Sequence, residues 1–235
     1  IFLHEYFGSH TYAAERNTYR GDIFDLASVT KVISTTSAAM KLYEEGKLDL
    51  DTTVVSYLPE FAGPDSLNTE LKKMITVKQL LTHTAGMKPF KQFYKMEAPS
   101  LESRLDSVFQ AELDTLPGTK YKYSDIGLIT LGKVIERISG KDLQAYTDSV
   151  IFKPLAMSTT GYLPQQASDW IVPTEFTRMD SGYGFIDGYV HDENSHSLGG
   201  ITGHAGLFST ALDLARFAQM MLNKGSLGDT IIFQP

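Results

Sequence analysis

Phe24-Asp25-Leu26-Ala27-Ser28-Val29-Thr30-Lys31 is the stretch on which the reading of this chain turns. Ser28 and Lys31 stand three apart. Beyond them an apolar, small-residue run from Val32 to Leu42 continues in helical pattern to Glu45 and stops at Gly46. Residues three apart on a helix share a face, so the spacing sets a hydroxyl beside an amine at a helix start. Serine is a weak nucleophile until a base takes its proton, and an uncharged amine within hydrogen-bond reach is such a base. Chance alone supplies about one S-x-x-K in a chain of this serine and lysine content, and a helix cap followed by a surface lysine is spelled the same way. Two features favour chemistry. This is the only S-x-x-K in the chain, and the helix behind it is apolar on nearly all sides, as a central helix is.

Working outward, residues 1–20 are rich in Phe, Tyr and Thr and predict two short strands around Gly8-Ser9, the first opening at Ile1 to Phe7. Thr76 predicts the cap of a helix from Val77 to Thr82, which ends in His83-Thr84-Ala85-Gly86. An amphipathic helix is predicted over Leu101 to Leu113, after which Pro117-Gly118 forces a turn. A helix starting at Asp125 or a near neighbour runs to Ser139 and stops at Gly140, and Asp142 caps another to about Phe152. Residues 158–206, rich in Gly, Pro, Asp and Ser, read as long loops of the kind that carry function. Thr210 and Asp213 form a capping pair for the last helix, which Gly225 stops.

Composition narrows the function. With 235 residues, 42% of them hydrophobic, the chain can build a core without disulfides or a structural metal. A net charge of -7 and the lack of any basic run exclude a nucleic-acid partner. The absence of cysteine excludes thiol catalysis, Cys-based zinc sites and disulfides. No apolar run approaches the roughly 20 residues of a membrane helix. A start at Ile1 in a strand-like run suggests a processed or excised piece of a longer product.

A second constellation, Tyr123-Ser124-Asp125, follows the Pro-Gly turn and precedes a helix. A tyrosine there can relay a proton to a leaving group, alone or with the lysine. Asp125 can hold Lys31 or a substrate amide, or it can be an ordinary helix cap.

The two constellations lie about 95 residues apart, in the order and spacing of the serine β-lactamase and penicillin-binding-protein superfamily, and they resemble its class-C-like, esterase-like branch. Phe24 to Lys31 resembles the nucleophile block. Leu80-Leu81-Thr82-His83-Thr84-Ala85-Gly86 resembles the family's helix-loop, and Tyr123-Ser124-Asp125-Ile126-Gly127 its Tyr-x-Asn block. Gly206-Leu207-Phe208-Ser209-Thr210 with Asp213-Leu214-Ala215 resembles a late block before a helix.

The resemblance implies an α+β fold of the β-lactamase/transpeptidase type over residues 1–235 as one domain: an antiparallel sheet flanked by helices, with a helical subdomain and the site between them. It implies acyl transfer through a serine ester, with Ser28 as nucleophile and Lys31 and Tyr123 as proton carriers. It also implies a small ester, amide or D-amino-acid peptide as substrate, no cofactor, and an extracytoplasmic location. Asp125 stands where Asn is usual and cannot donate an amide hydrogen bond, so weak or no β-lactam turnover is expected. The third family motif, K-T-G or H-T-G, is not in the chain. The nearest string, His204-Ala205-Gly206, comes too early in the family order; His204 is kept as a candidate substrate-binding residue beside Asp125. The expectation is that the C-terminal sheet strands and this motif are missing from the stretch, which would leave a sheet edge open to self-association.

Two rivals are weighed. His191, Asp192, Glu193 and His196, with His204 further on, form a ligand-rich cluster that could suit zinc, but a loop spacing fixes no geometry. A sensor or scaffold domain of the same fold, binding penicillins or cell-wall fragments without turnover, is the alternative from another functional class.

Overall fold

The computed structural model describes residues 3–63, 67–164, 169–179 and 182–235. Strand β1 (Phe24–Asp25), a 3₁₀ turn (Ala27–Val29), a π-helical turn (Lys31–Thr36) and helix α1 (Ser37–Glu44) follow almost without a break. Short helices α2 (Val54–Tyr57), α3 (Leu67–Lys72) and α4 (Val77–Leu81) lead to α5 (Leu101–Phe109), α6 (Asp125–Ser139) and α7 (Leu143–Thr147), the last running into a second π turn (Asp148–Phe152). Strand β2 (Gly161–Tyr162), the pair β3 (Glu175–Met179) and β4 (Gly182–Ile186), helix α8 (Glu193–Ser197), strand β5 (Leu207–Ser209), helix α9 (Ala211–Leu222) and the pair β6 (Ser226–Leu227) and β7 (Thr230–Ile231) complete the order. The fold is of the mixed type expected, with antiparallel sheets and flanking helices.

Helix α6 is the hub. Ser124 caps its start by accepting the Gly127 N–H, and Gly140 ends it in the left-handed conformation. Ile126, Leu128, Ile129, Leu131, Val134 and Ile135 are buried on it, each contributing roughly 1.5–3 kcal/mol by leaving water. It packs against α1, α2, α4, α5, α7 and the first π turn. A single apolar core runs from Ile33 to Phe233, and a smaller cluster gathers Ile171, Val190, Ala205 and Phe208.

The sheet that matters for the site has the order β1-β5-β2, all antiparallel, with Asp25 opposite Phe208 and Tyr162 opposite Leu207. It ties the lead-in of Ser28 to the segment after His204. A second tie is a contact between two glycines. A Cβ on Gly203 would sit 2.0 Å from the Leu128 carbonyl oxygen, and one on Gly132 would sit 3.1 Å from the Gly203 nitrogen. Only hydrogen side chains let the 202–204 backbone lie directly on α6.

Three expectations need correction. Residues 3–20 form no strands; one isolated bridge joins Ser9 to Asn17, and residues 1–2 of the expected first strand lie outside the described residues. The buried Asp22 carboxylate instead gathers this segment, binding His10 Nε2 (2.7 Å), Arg16 Nη2 (3.4 Å) and the Tyr19 N–H (2.6 Å). Helix α5 stops at Phe109, not Leu113, because Leu113 leaves to bridge Met87 and the next two amides donate to the Gly86 carbonyl. The stretch 158–206 is more ordered than loops: it holds β2, the β3–β4 pair and α8.

Candidate active site

Ser28 lies in the 3₁₀ turn between β1 and the π turn. The Asp25 carboxylate accepts the Ala27 N–H at 2.8 Å, and Ala27 takes a left-handed φ of 45° immediately before Ser28. That conformation costs a non-glycine residue energy and persists only where the surroundings hold it. The Leu26 N–H donates to the Leu207 carbonyl, and Thr30 Oγ1 accepts the Leu207 N–H. The segment from Phe24 to Lys31 is therefore fastened to β5 on both sides of Ser28.

Lys31 is buried, with only 5% of its surface exposed, yet its amine is fully engaged. Nζ donates to Ser28 Oγ at 2.8 Å and to the His204 carbonyl at 2.9 Å. It also forms a 2.7 Å ion pair with Asp125 Oδ1, a contact that is not an aligned hydrogen bond. Tyr123 Oη hydrogen-bonds Ser28 Oγ at 2.9 Å, and the tyrosine ring lies under Nζ, 4.8 Å from its centroid. Ser28 and Tyr123 are exposed while Lys31 is not. Lys31 and Tyr123, from two segments 95 residues apart in sequence as counted from Ser28 to Tyr123, thus converge on one hydroxyl, with Asp125 behind the amine, the oxygen open to solvent and the amine shielded.

Ser124 decides how Asp125 is used. Ser124 Oγ caps α6 and donates to the Lys88 carbonyl at 2.6 Å. Asp125 is thereby spared the cap and turns its carboxylate to Lys31. Its N–H donates to the Pro89 carbonyl, which pins the helix start to the 88–89 loop.

His83 belongs to this neighbourhood and was not singled out from sequence. It follows α4 with a left-handed φ of 55°. Its Nδ1 accepts the Ser124 N–H at 3.2 Å, its carbonyl accepts the Lys122 N–H, and its ring lies 4.6 Å from that of Tyr123. Burial holds the imidazole below its ordinary pKa; the Lys31 charge adds to this and Asp125 opposes it. A neutral ring is what an Nδ1 acceptor requires. The available sequence signal was a histidine in a left-handed loop position just after a capped helix.

His204 enters the site through its main chain. The expectation put it against substrate, but its ring is 1% exposed and both ring nitrogens are engaged in the interior: Nε2 with Asp192 Oδ1 and Nδ1 with Thr202 Oγ1, each at 2.9 Å. Its carbonyl is the part that reaches Lys31. The metal cluster does not assemble either. Among the described residues no group of three or more His, Cys, Asp or Glu side chains could hold a metal ion; His196 packs at a tilt against Tyr189 while Asp192 turns inward to His204.

With this geometry in place, comparison with known proteins is direct. The Beta-lactamase family model matches residues 2–234. The chain is 36% identical over 232 residues to an N-acetylmuramyl-L-alanine amidase of Bacillus subtilis (strain 168), covering 90% of this chain and 52% of that protein. It is 34% identical over 236 residues to a protein of Escherichia coli (strain K12) provisionally named as a D-alanyl-D-alanine carboxypeptidase, covering 91% of this chain and 54% of that protein. The chain spans about half the length of the curated relatives it matches. Among solved structures, EstCE1, a hydrolase with promiscuous acyltransferase activity, superposes with a TM-score of 0.75 at 26% identity over 97% of this chain and 65% of that one. The octameric penicillin-binding protein homologue from Pyrococcus abyssi superposes with a TM-score of 0.72 at 25% identity over 94% of this chain and 49% of that one. The chain belongs to the Beta-lactamase family of serine hydrolases.

Proposed function

We propose that the protein acts by acyl transfer through Ser28, on a small ester, amide or D-amino-acid peptide. The observation that carries this reading is the convergence of Lys31 Nζ and Tyr123 Oη on Ser28 Oγ, at 2.8 and 2.9 Å. In the first half-reaction Lys31, an ammonium in its ion pair with Asp125, releases a proton to solvent, and Oγ then attacks the substrate carbonyl carbon while its own proton passes to the freed amine. The Tyr123 hydroxyl gives its proton to the leaving group as the scissile bond breaks, and recovers one from Lys31. Water then enters, gives a proton back along the same pair, and frees the acid and Ser28. Asp125 and the His204 carbonyl hold Nζ in line for both steps. The backbone N–H of Ser28 is the oxyanion donor that the nucleophile block itself provides.

Substrate preference follows from chemistry and kinship. Asp125 offers no amide donor, which argues for weak or absent β-lactam turnover. The names of the two relatives point to amide bonds at D-alanine or muramyl-alanine termini, and with them to an extracytoplasmic site of action. No helix among the described residues is long and apolar enough to cross a membrane. Residues 1–235 are read as one domain, supported by a main apolar core that draws residues from Ile33 to Phe233, and the outer edges of the β1-β5-β2 sheet are the proposed surface for self-association.

Intact-protein mass spectrometry after treatment with a fluorophosphonate tests the reading. One adduct per chain, located at Ser28 and missing in S28A, is the expected result. Labelling that survives S28A means a different nucleophile. An adduct formed by benzylpenicillin that persists for hours, with no ester or peptide turned over, favours the sensor.

A further inference from the structure

We infer that Asp192 and His204 form a clamp that positions Lys31 for catalysis, an inference that rests on the acyl-transfer reading above. The cluster that resembled a metal site from sequence has a different geometry. Asp192 Oδ1 accepts the His204 Nε2–H at 2.9 Å and the Ser195 N–H at 2.7 Å. On the far side of the ring, His204 Nδ1 lies 2.9 Å from Thr202 Oγ1. An imidazole held at both nitrogens has its side-chain torsions arrested, which restrains the Cα of His204 and so limits the movement of the peptide group beside it. That peptide group ends in the carbonyl oxygen 2.9 Å from Lys31 Nζ.

The same dipeptide reaches the nucleophile from the other side. The His191 N–H donates to Asp25 Oδ2 at 2.8 Å, while Asp25 Oδ1 holds the Ala27 N–H ahead of Ser28. His191-Asp192 is therefore a brace with two arms, one on the serine turn and one on the acceptor of the lysine.

Several observations separate this from a second catalytic dyad or an ordinary core contact. His204 and Thr202 are buried at 1% and 4% exposure, so no substrate meets them. Burial alone would push the Asp192 carboxyl up, but the hydrogen bond and contact of His204, the Ser195 amide and the Lys31 charge outweigh it and keep the carboxyl below its ordinary value. The carboxylate thus senses the lysine electrostatically as well as through the clamp. The peptide before His204 is anchored independently, since Gly203 lies against α6 and its carbonyl accepts Thr35 Oγ1 at 2.7 Å, so the clamp acts on the peptide that follows, the one whose oxygen meets Lys31.

The test compares D192A, D192N and T202V with the unaltered protein, using p-nitrophenyl acetate turnover and crystal structures of each. An ångström of misplacement at a reacting group costs up to about 100-fold in rate. D192A is expected to lose on the order of that in kcat with KM changed less than about twofold. D192N keeps an acceptor for the ring and the Ser195 amide and is expected to recover most of the loss. T202V preserves shape and removes one arm, so it serves if D192A does not fold, with an expected loss of several-fold in kcat. In D192A crystals the Lys31 contact to the His204 carbonyl should be broken. An unchanged kcat and an unmoved Lys31 in D192A or T202V would overturn the clamp. S28A is the separate control for the reading beneath: turnover that survives it removes the serine mechanism, while the position of Lys31 in the variant crystals still decides the clamp.

Discussion

Among the described residues two aspartate–histidine pairs occur, and they repay comparison. His10 binds Asp22 at 2.7 Å and His204 binds Asp192 at 2.9 Å, and in both the partners are 12 residues apart. Each closes a loop, and in each the carboxylate also takes a backbone amide, Tyr19 in the first and Ser195 in the second. The first pair ends there, shaping an N-terminal segment against Arg16. The second continues, because the carbonyl of its histidine receives the amine of Lys31. The same side-chain chemistry is local scaffolding in one place and, in the other, part of the lattice that holds the Lys31 amine. The difference lies in one main-chain oxygen.

Four experiments would break or sharpen that contrast. Removing the shared target comes first: K31A should slow fluorophosphonate labelling of Ser28 about 1000-fold, the scale of a lost proton carrier, whereas H10A should leave labelling unchanged. Next, D22A should behave unlike D192A. Breaking a buried pair costs about 3 kcal/mol, which for a domain of this size lowers Tm by about 6–12 °C; kcat should stay within about twofold of the parent. A D22A protein that loses activity as D192A does would erase the distinction. Third, G203A forces a methyl toward the Leu128 carbonyl. It should cost about 1–3 kcal/mol by overpacking and lower kcat as well, since the displaced backbone carries the lysine acceptor; differential scanning calorimetry and turnover read the two effects.

The smallest effect concerns His83. Its folded pKa lies below the unfolded value of 6.5, mainly through burial. Above 6.5 both states are neutral and the contribution to stability is complete. As the pH falls below 6.5 the unfolded chain takes up a proton first, so stability declines until the folded pKa is reached. Tm measured from pH 7.5 down to 5.5 should therefore fall less steeply in H83N than in the parent. Equal slopes would show that His83 contributes nothing to this window.

The parts of the site that could be read from sequence share one property: each is a side chain at a helix start, where spacing rules apply. The three-residue interval made Ser28 and Lys31 candidates, and the place just before α6 did the same for Tyr123 and Asp125, but the resemblance of four ordered blocks to the β-lactamase superfamily is what raised them above ordinary caps and surface residues. The caps at Thr76, Asp142 and Thr210 located their helices for the same reason. What escaped lacks such a rule. The segment 3–20 has a strand-like composition, yet Asp22 organises it through contacts that pair residues 12 and 6 apart, which no alternation encodes. The β3–β4 pair was hidden in a stretch whose glycines and polar residues spoke for loops. His204 was named for its ring, but it is the carbonyl, identical in every residue type, that meets Lys31. Asp192 was visible only as a metal candidate, since its partner becomes clear once the 192–204 loop is closed.

The π-helical turn from Lys31 to Thr36 has a consequence for how this site can be altered. Such a turn accommodates one residue more than a regular helix would. In effect it takes up the extra residue between two rigid parts: Ser28 is exposed beside Tyr123 with Lys31 shielded behind it, while Ile33, Ala38, Ala39 and Leu42 face the core. Deleting a single residue within it would let the helix relax to regular winding with both parts still in phase, whereas a deletion in the regular turns of α1 that follow would rotate one part against the other by about 100°. In that second case the core, which holds far more surface, would keep its orientation, and Ser28 and Lys31 would be swung away from Tyr123. The π turn is thus a place where the chain can lose a residue and keep both faces in register.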